Sequence, residues 1–126
     1  MPDRPSHFEI PVDDADRAEK FYGSVFGWTF DRYPGAPSYY GMATTGDANP
    51  GINGALFQRS EGSGVSLTMS VDSIEDAEAK ITAGGGTVVQ SKAAIPNMGW
   101  FATCTDPHGN EFGIWQNDPS AQMPES

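Results

Sequence analysis

One pattern runs through this chain twice, and that repetition constrains the fold more than any other feature. Val12-Asp13 precedes Ala18-Glu19 and a stop at Gly27, and Val71-Asp72 precedes Ala77-Glu78 and a stop at Gly86. Each pair is displaced by the same 59 residues (71 − 12, 77 − 18, 86 − 27). The offset also sets Phe8 on Leu67, Ile10 on Met69, Phe30 on Val89 and Gly54 on Gly113. A fixed offset of this kind means one supersecondary unit used twice, packed about a pseudo-twofold axis. The 126 residues suffice for one domain, 1–126, with its own core.

Each copy reads as β-α-β-β-β. In the first, His7–Val12 alternates as a strand, and Pro11 marks an edge or a strand end. Asp13 or Asp14 is the candidate helix N-cap. Ala18, Phe21, Tyr22, Val25 and Phe26 then make one apolar stripe at helical spacing, closed by Gly27. Strands are predicted over 28–33, 38–44 and 52–59. Residues 60–64 (SEGSG) form the seam, giving module one about 6–59 and module two about 65–116. The second copy has a strand at 65–71 and a capping box from Ser73 to Asp76. Its helix runs to about Ala83. Strands follow at 87–91, 100–105 and 111–116, with the AAIPNMG segment as a loop and the turn DPHGN before the last strand. The tail 117–126 is predicted to be loose. The fold class is α+β: two tandem modules forming a curved mixed sheet with a cleft, and helices on the outer face.

The net charge of −10 repels phosphate backbones and argues against nucleic-acid partners. No apolar run approaches the ~20 residues that span a bilayer, so no membrane partner is expected. The N-terminus lacks a signal-peptide core, and a cytoplasmic location is the plain expectation. The single Cys104 excludes an intrachain disulfide and a multi-cysteine zinc site.

Three segments, HFEIPVDDADRAEKFYGSVFGW, VDSIEDAEAKITAGGG and DPHGNEFGIWQ, resemble the vicinal oxygen chelate superfamily, which includes glyoxalase I, bleomycin-resistance proteins and extradiol dioxygenases. The resemblance covers His7 to Gln116. It implies a single glyoxalase-like domain, a homodimer and, in chelating members, a divalent metal held by His, Gln and carboxylate ligands. Carried over residue by residue, the family's ligand positions fall on His7, Gly54, Ser66 and Gly113. Only His7 has a donor of the family's type, so neither a metal nor another cofactor is expected. A bound divalent ion is the minority alternative, and the chain is not expected to be a true glyoxalase I.

His7 and Glu9 alternate on one strand and face one side, about 6–7 Å apart along it. They are the candidate catalytic pair for proton transfer, with the opposing reading that both meet water near a strand end. Ser66 and Thr68, followed by Ser70, either bond a ligand or fill a small polar cavity. Tyr40, Phe57, Met98, Trp100, Phe101 and Trp115, with Tyr39 and Met42, suit the lining of a mostly apolar pocket, or else ordinary core or dimer interface. The paired Gly54 and Gly113 leave either space for a ligand or a close backbone approach. Cys104 reads as a small core residue and His108 as a solvated turn residue.

Three functions remain open. The favoured one is a metal-free module binding a small apolar or cationic molecule. The alternative is a superfamily enzyme of lyase, isomerase or dioxygenase type, acting on a small carbonyl or aromatic substrate with His7 and Glu9 in its site. An accessory protein-contact domain is the third.

Overall fold

The computed structural model describes residues 3–48 and 50–122. The chain divides into two compact units, one of residues 6–66 and one of residues 67–126 together with 1–5.

The N-terminal unit has strand β1 (Arg4–Val12), helix α1 (Ala15–Phe26) and strands β2 (Thr29–Arg32), β3 (Tyr40–Thr44) and β4 (Asn53–Gln58). Its strand order is β2-β3-β4-β1. β1 and β4 run parallel, and the other pairs are antiparallel. The Asp14 side chain caps α1 by accepting from Arg17 N, and Gly27 ends the helix at φ 77°, a conformation that costs glycine little. The apolar stripe of α1 is only partly used. Phe21, Val25 and Phe26 remain more than half exposed. Tyr22 instead stacks on Trp28 at 5.0 Å, and Trp28 meets Phe8 at 5.4 Å. Sheet parity explains the arrangement. Phe8 and its partner Gly54 point toward α1, whereas His7 and Glu9 point away.

The C-terminal unit has β5 (Ser66–Ser70), α2 (Ile74–Ala83), β6 (Thr87–Ile95), β7 (Gly99–Thr105) and β8 (Glu111–Asn117), in strand order β5-β8-β7-β6. Ser73 caps α2 by accepting from Asp76 N. Ile74, Ala102, Cys104 and Ile114 form the core, with Met69, Val71 and Trp100 packed against it. Phe112 Cα lies opposite Cys104 within the antiparallel β7–β8 pair.

Two expectations change here. β6 continues four residues beyond the predicted end, because register shifts between Val88 and Gln90 and between Gln90 and Ala93 break the alternation that marks a strand in sequence. The segment after β8 is also held in place as far as Ala121. Asn97 N donates to Ala121 O at 3.0 Å, Trp100 Nε1 donates to Asp118 Oδ2 at 3.1 Å, and Ala121 is buried. The rest of the predicted loose tail, 123–126, lies outside the described residues.

Candidate functional site

The N-terminal unit brings three polar side chains together on the sheet face opposite α1. Tyr40 Oη donates to Glu9 Oε2 at 2.7 Å and lies 2.9 Å from His7 Nε2. His7 Nε2 and Glu9 Oε2 are 3.8 Å apart, with side chains one-third and one-quarter exposed. Topology makes the meeting possible. Tyr40 is on β3 and the other two are on β1, so the phenol reaches across β4. The residue it crosses is Ala55, which pairs with Met42 on one side and Glu9 on the other and is fully buried. A methyl group there leaves the path open.

The electrostatics follow from partial burial. Desolvation pulls the His7 pKa below its ordinary 6.5, and the nearby Glu9 carboxylate opposes this with a smaller effect. His7 is therefore neutral at physiological pH. Burial, together with the charge and hydrogen bond of Glu9, pushes Tyr40 far above its usual range, so the phenol keeps its proton. A neutral imidazole, a protonated phenol and a carboxylate in one hydrogen-bonded chain can accept, donate and pass a proton.

The other predicted residues divide by face. Phe57 pairs with Pro11 and Tyr40, so it shares the His7 face. Tyr39 lies on the opposite side, where its hydroxyl donates to Glu19 Oε2 of α1 at 2.6 Å. In the C-terminal unit, Thr68 pairs with Gly113, and Phe101 pairs with Trp115 on the same face. Thr68 is buried, and Ser66 opens β5 half-buried. Trp100 does not join Phe101. Adjacent strand residues point to opposite faces, and Trp100 packs against the α2 core with Lys92 Nζ 4.8 Å from its ring. Met98 sits exposed in the β6–β7 turn. His108 is exposed in the DPHGN turn, and burial raises the thiol pKa of the free Cys104.

The glycine positions separate as well. A Cβ on Gly54 would come within 2.4 Å of Phe8 O and 2.5 Å of the Phe8 ring. Gly54 therefore faces α1, and a carboxylate at that position would point away from His7. A Cβ on Gly113 would meet the Phe101 ring at 2.7 Å.

The fold family implies a divalent ion, and the donor set argues against a tight one. Three or more N, O or S donors are usually needed. His7 and Glu9 supply two, and the Tyr40 proton is already engaged with Glu9. Among the described residues, no three His, Cys, Asp or Glu side chains gather as metal ligands.

Sequence reasoning missed a cavity of about 470 Å³ beside α2, with Met69, Val71, Ile81 and Phe112 among its apolar lining and Asp72, Asp76 and Lys80 among its charged lining. No hydrogen-bonded acid–base pair lines it, whereas the His7 cluster holds His7, Tyr40 and Glu9 in one hydrogen-bonded chain. Tyr40 was named in the sequence as a candidate lining residue, but its bond to the pair was not legible there. Parity along β3 and the small Ala55 were the available signals.

These two β-α-β-β-β units carry the vicinal oxygen chelate fold, the class to which glyoxalases and bleomycin-resistance proteins belong. Residues 4–45 match the family described as bleomycin resistance protein-like N-terminal. A curated relative, "Putative glyoxylase CFP32" of Mycobacterium bovis, is 32% identical over 117 residues, covering 89% of this chain and 45% of the relative. The chain thus spans about half the length of the curated relatives it matches. Methylmalonyl-CoA epimerase from Mycobacterium tuberculosis superposes with a TM-score of 0.69 at 13% identity, over 91% of this chain and 88% of the other. A glyoxalase/bleomycin resistance protein/dioxygenase superfamily member from Vibrio splendidus superposes at 0.67 and 19% identity, over 90% and 98%. Both structural likenesses carry the fold alone. No helix among the described residues is long and apolar enough to cross a membrane.

Proposed function

We propose that this protein is a cytoplasmic small-molecule-binding protein that works as a homodimer and seats its ligand against His7 without a resident metal. The observation that carries the reading is the His7–Tyr40–Glu9 chain on the face opposite α1. Its polar atoms are partly open, and Phe57 and Met42 beside it supply apolar surface of the kind small-ligand sites use. Such a setting suits an apolar or cationic molecule, and the net charge of −10 favours the cation. The exposed Phe21, Val25 and Phe26 offer an apolar strip for a second copy. The buried free thiol of Cys104 agrees with a reducing compartment.

A second reading, an enzyme moving a proton on a small carbonyl substrate, is favoured by the same hydrogen-bonded chain and by relatives named as a glyoxylase and an epimerase. True glyoxalase I chemistry is not part of the proposal. Calorimetric titration with a panel of small aromatic amines and carbonyl compounds tests both. Binding that is lost in His7→Ala supports the first, and turnover that is lost in the same variant supports the second. A panel with no heat and no turnover, or ligands held equally well by His7→Ala, overturns the assignment of the site.

A further inference from the structure

We infer that Glu9, acting through the Tyr40 hydroxyl, holds neutral His7 as the Nε2–H tautomer and leaves Nδ1 as the acceptor that meets the ligand. The inference rests on the binding reading above and specifies its chemistry. Tyr40 has one hydroxyl proton. It goes to Glu9 Oε2, a charged acceptor at 2.7 Å, rather than to His7 Nε2 at 2.9 Å. The phenol oxygen can then only accept from His7, so Nε2 must carry the hydrogen. A neutral imidazole with Nε2–H has a bare lone pair on Nδ1. No hydrogen bond engages Nδ1 among the described residues. No buried side-chain nitrogen or oxygen among them lacks a partner, so Nδ1 is open to solvent.

The tautomer selects the ligand. A group seated against Nδ1 must bring its own hydrogen, as an ammonium, amide N–H or hydroxyl does. A carboxylate or phosphate would set lone pair against lone pair. Tyr40 is a positioning residue in this arrangement. It touches no ligand itself but transmits the Glu9 charge, which makes Nδ1 a better acceptor than that of a free imidazole.

Nitrogen-15 NMR of the ligand-free protein at pH 8 tests the inference independently of any ligand. Wild type should show His7 wholly in the Nε2–H form. Glu9→Ala frees the Tyr40 hydrogen to turn toward His7, and the Nδ1–H form should appear. Glu9→Gln, whose uncharged amide oxygen is a weaker acceptor from Tyr40, should show a mixture in which the Nε2–H form falls below its wild-type share. A wild-type His7 protonated on Nδ1, or an unchanged tautomer in Glu9→Ala, overturns the inference and leaves ligand binding at this face to be judged by the titration above.

Discussion

The Tyr40 hydroxyl lies 2.9 Å from His7 Nε2, although 33 residues and an intervening strand separate the two. The contact turns two separately placed polar residues into one chain with Glu9. The pH behaviour of His7 comes from its burial, with the Glu9 charge opposing it.

Acid should weaken the fold through His7. Its pKa is depressed in the folded protein, so the unfolded chain takes up the proton first as pH falls. The stabilisation from neutral His7 is present above 6.5 and is lost as pH falls through the lower folded value. Thermal melts of wild type and His7→Gln between pH 8 and pH 5 check this. The variant should lose less stability over that window, and parallel curves would remove His7 as the sensor.

Tyr40→Phe deletes the hydroxyl that satisfies Glu9 and His7 together. Both partners are partly solvated, so water replaces some of the lost bonds. The expected cost is about 1 kcal/mol, read as a lower urea midpoint with an unchanged slope. A variant as stable as wild type would mean that water already competes for Glu9 and His7.

Gly54→Ala should destabilise more than Gly113→Ala. The first Cβ meets backbone, Phe8 O at 2.4 Å, which cannot yield without moving β1. The second meets the Phe101 ring and the Thr68 hydroxyl, which can shift by rotation. Chemical denaturation should show a loss of about 2–3 kcal/mol for Gly54→Ala, in the range of overpacked cores. Equal effects would contradict the close approach at β1–β4.

Chelator should leave the melting temperature unchanged, because His7 and Glu9 offer two donors where a tightly bound divalent ion needs three. Melting curves with and without EDTA provide the check. A drop of several degrees would show donors supplied from elsewhere.

Removal of residues 118–126 should destabilise the C-terminal unit. It deletes the bonds Asn97 N to Ala121 O, Asp118 N to Met98 O and Trp100 Nε1 to Asp118, and it uncovers the Ala121 site. At about 0.5–1.5 kcal/mol for each bond, the loss should be measurable by denaturation, and a silent truncation would contradict the packing seen here.

The elements were largely legible in the chain, because their signals are local. Asp14 and Ser73 cap helices through bonds only three residues long, and Gly27 takes the left-handed turn its sequence context called for. The parity of β1 put His7 and Glu9 on one face without knowledge of the neighbouring strands. The full length of β6 was not legible, since its register shifts erase the period on which the reading depends. The anchored segment at Asp118–Ala121 was missed for a related reason. A polar, proline-bearing stretch reads as loose until Trp100 and Asn97 are known to meet it.

Which residues share a face across strands was beyond the chain alone. Trp100 and Phe101 are neighbours in sequence and part company in the sheet. Gly54 and His7 look like corresponding ligand positions, yet they point to opposite sides of the β1–β4 pair. The sequence by itself determined the helices, the turns and the alternation within each strand, because those depend on residues within a few positions of one another. Only the tertiary structure decided that Tyr40 crosses Ala55 to join His7 to Glu9. That contact needs the strand order, and strand order is set by pairing between segments tens of residues apart.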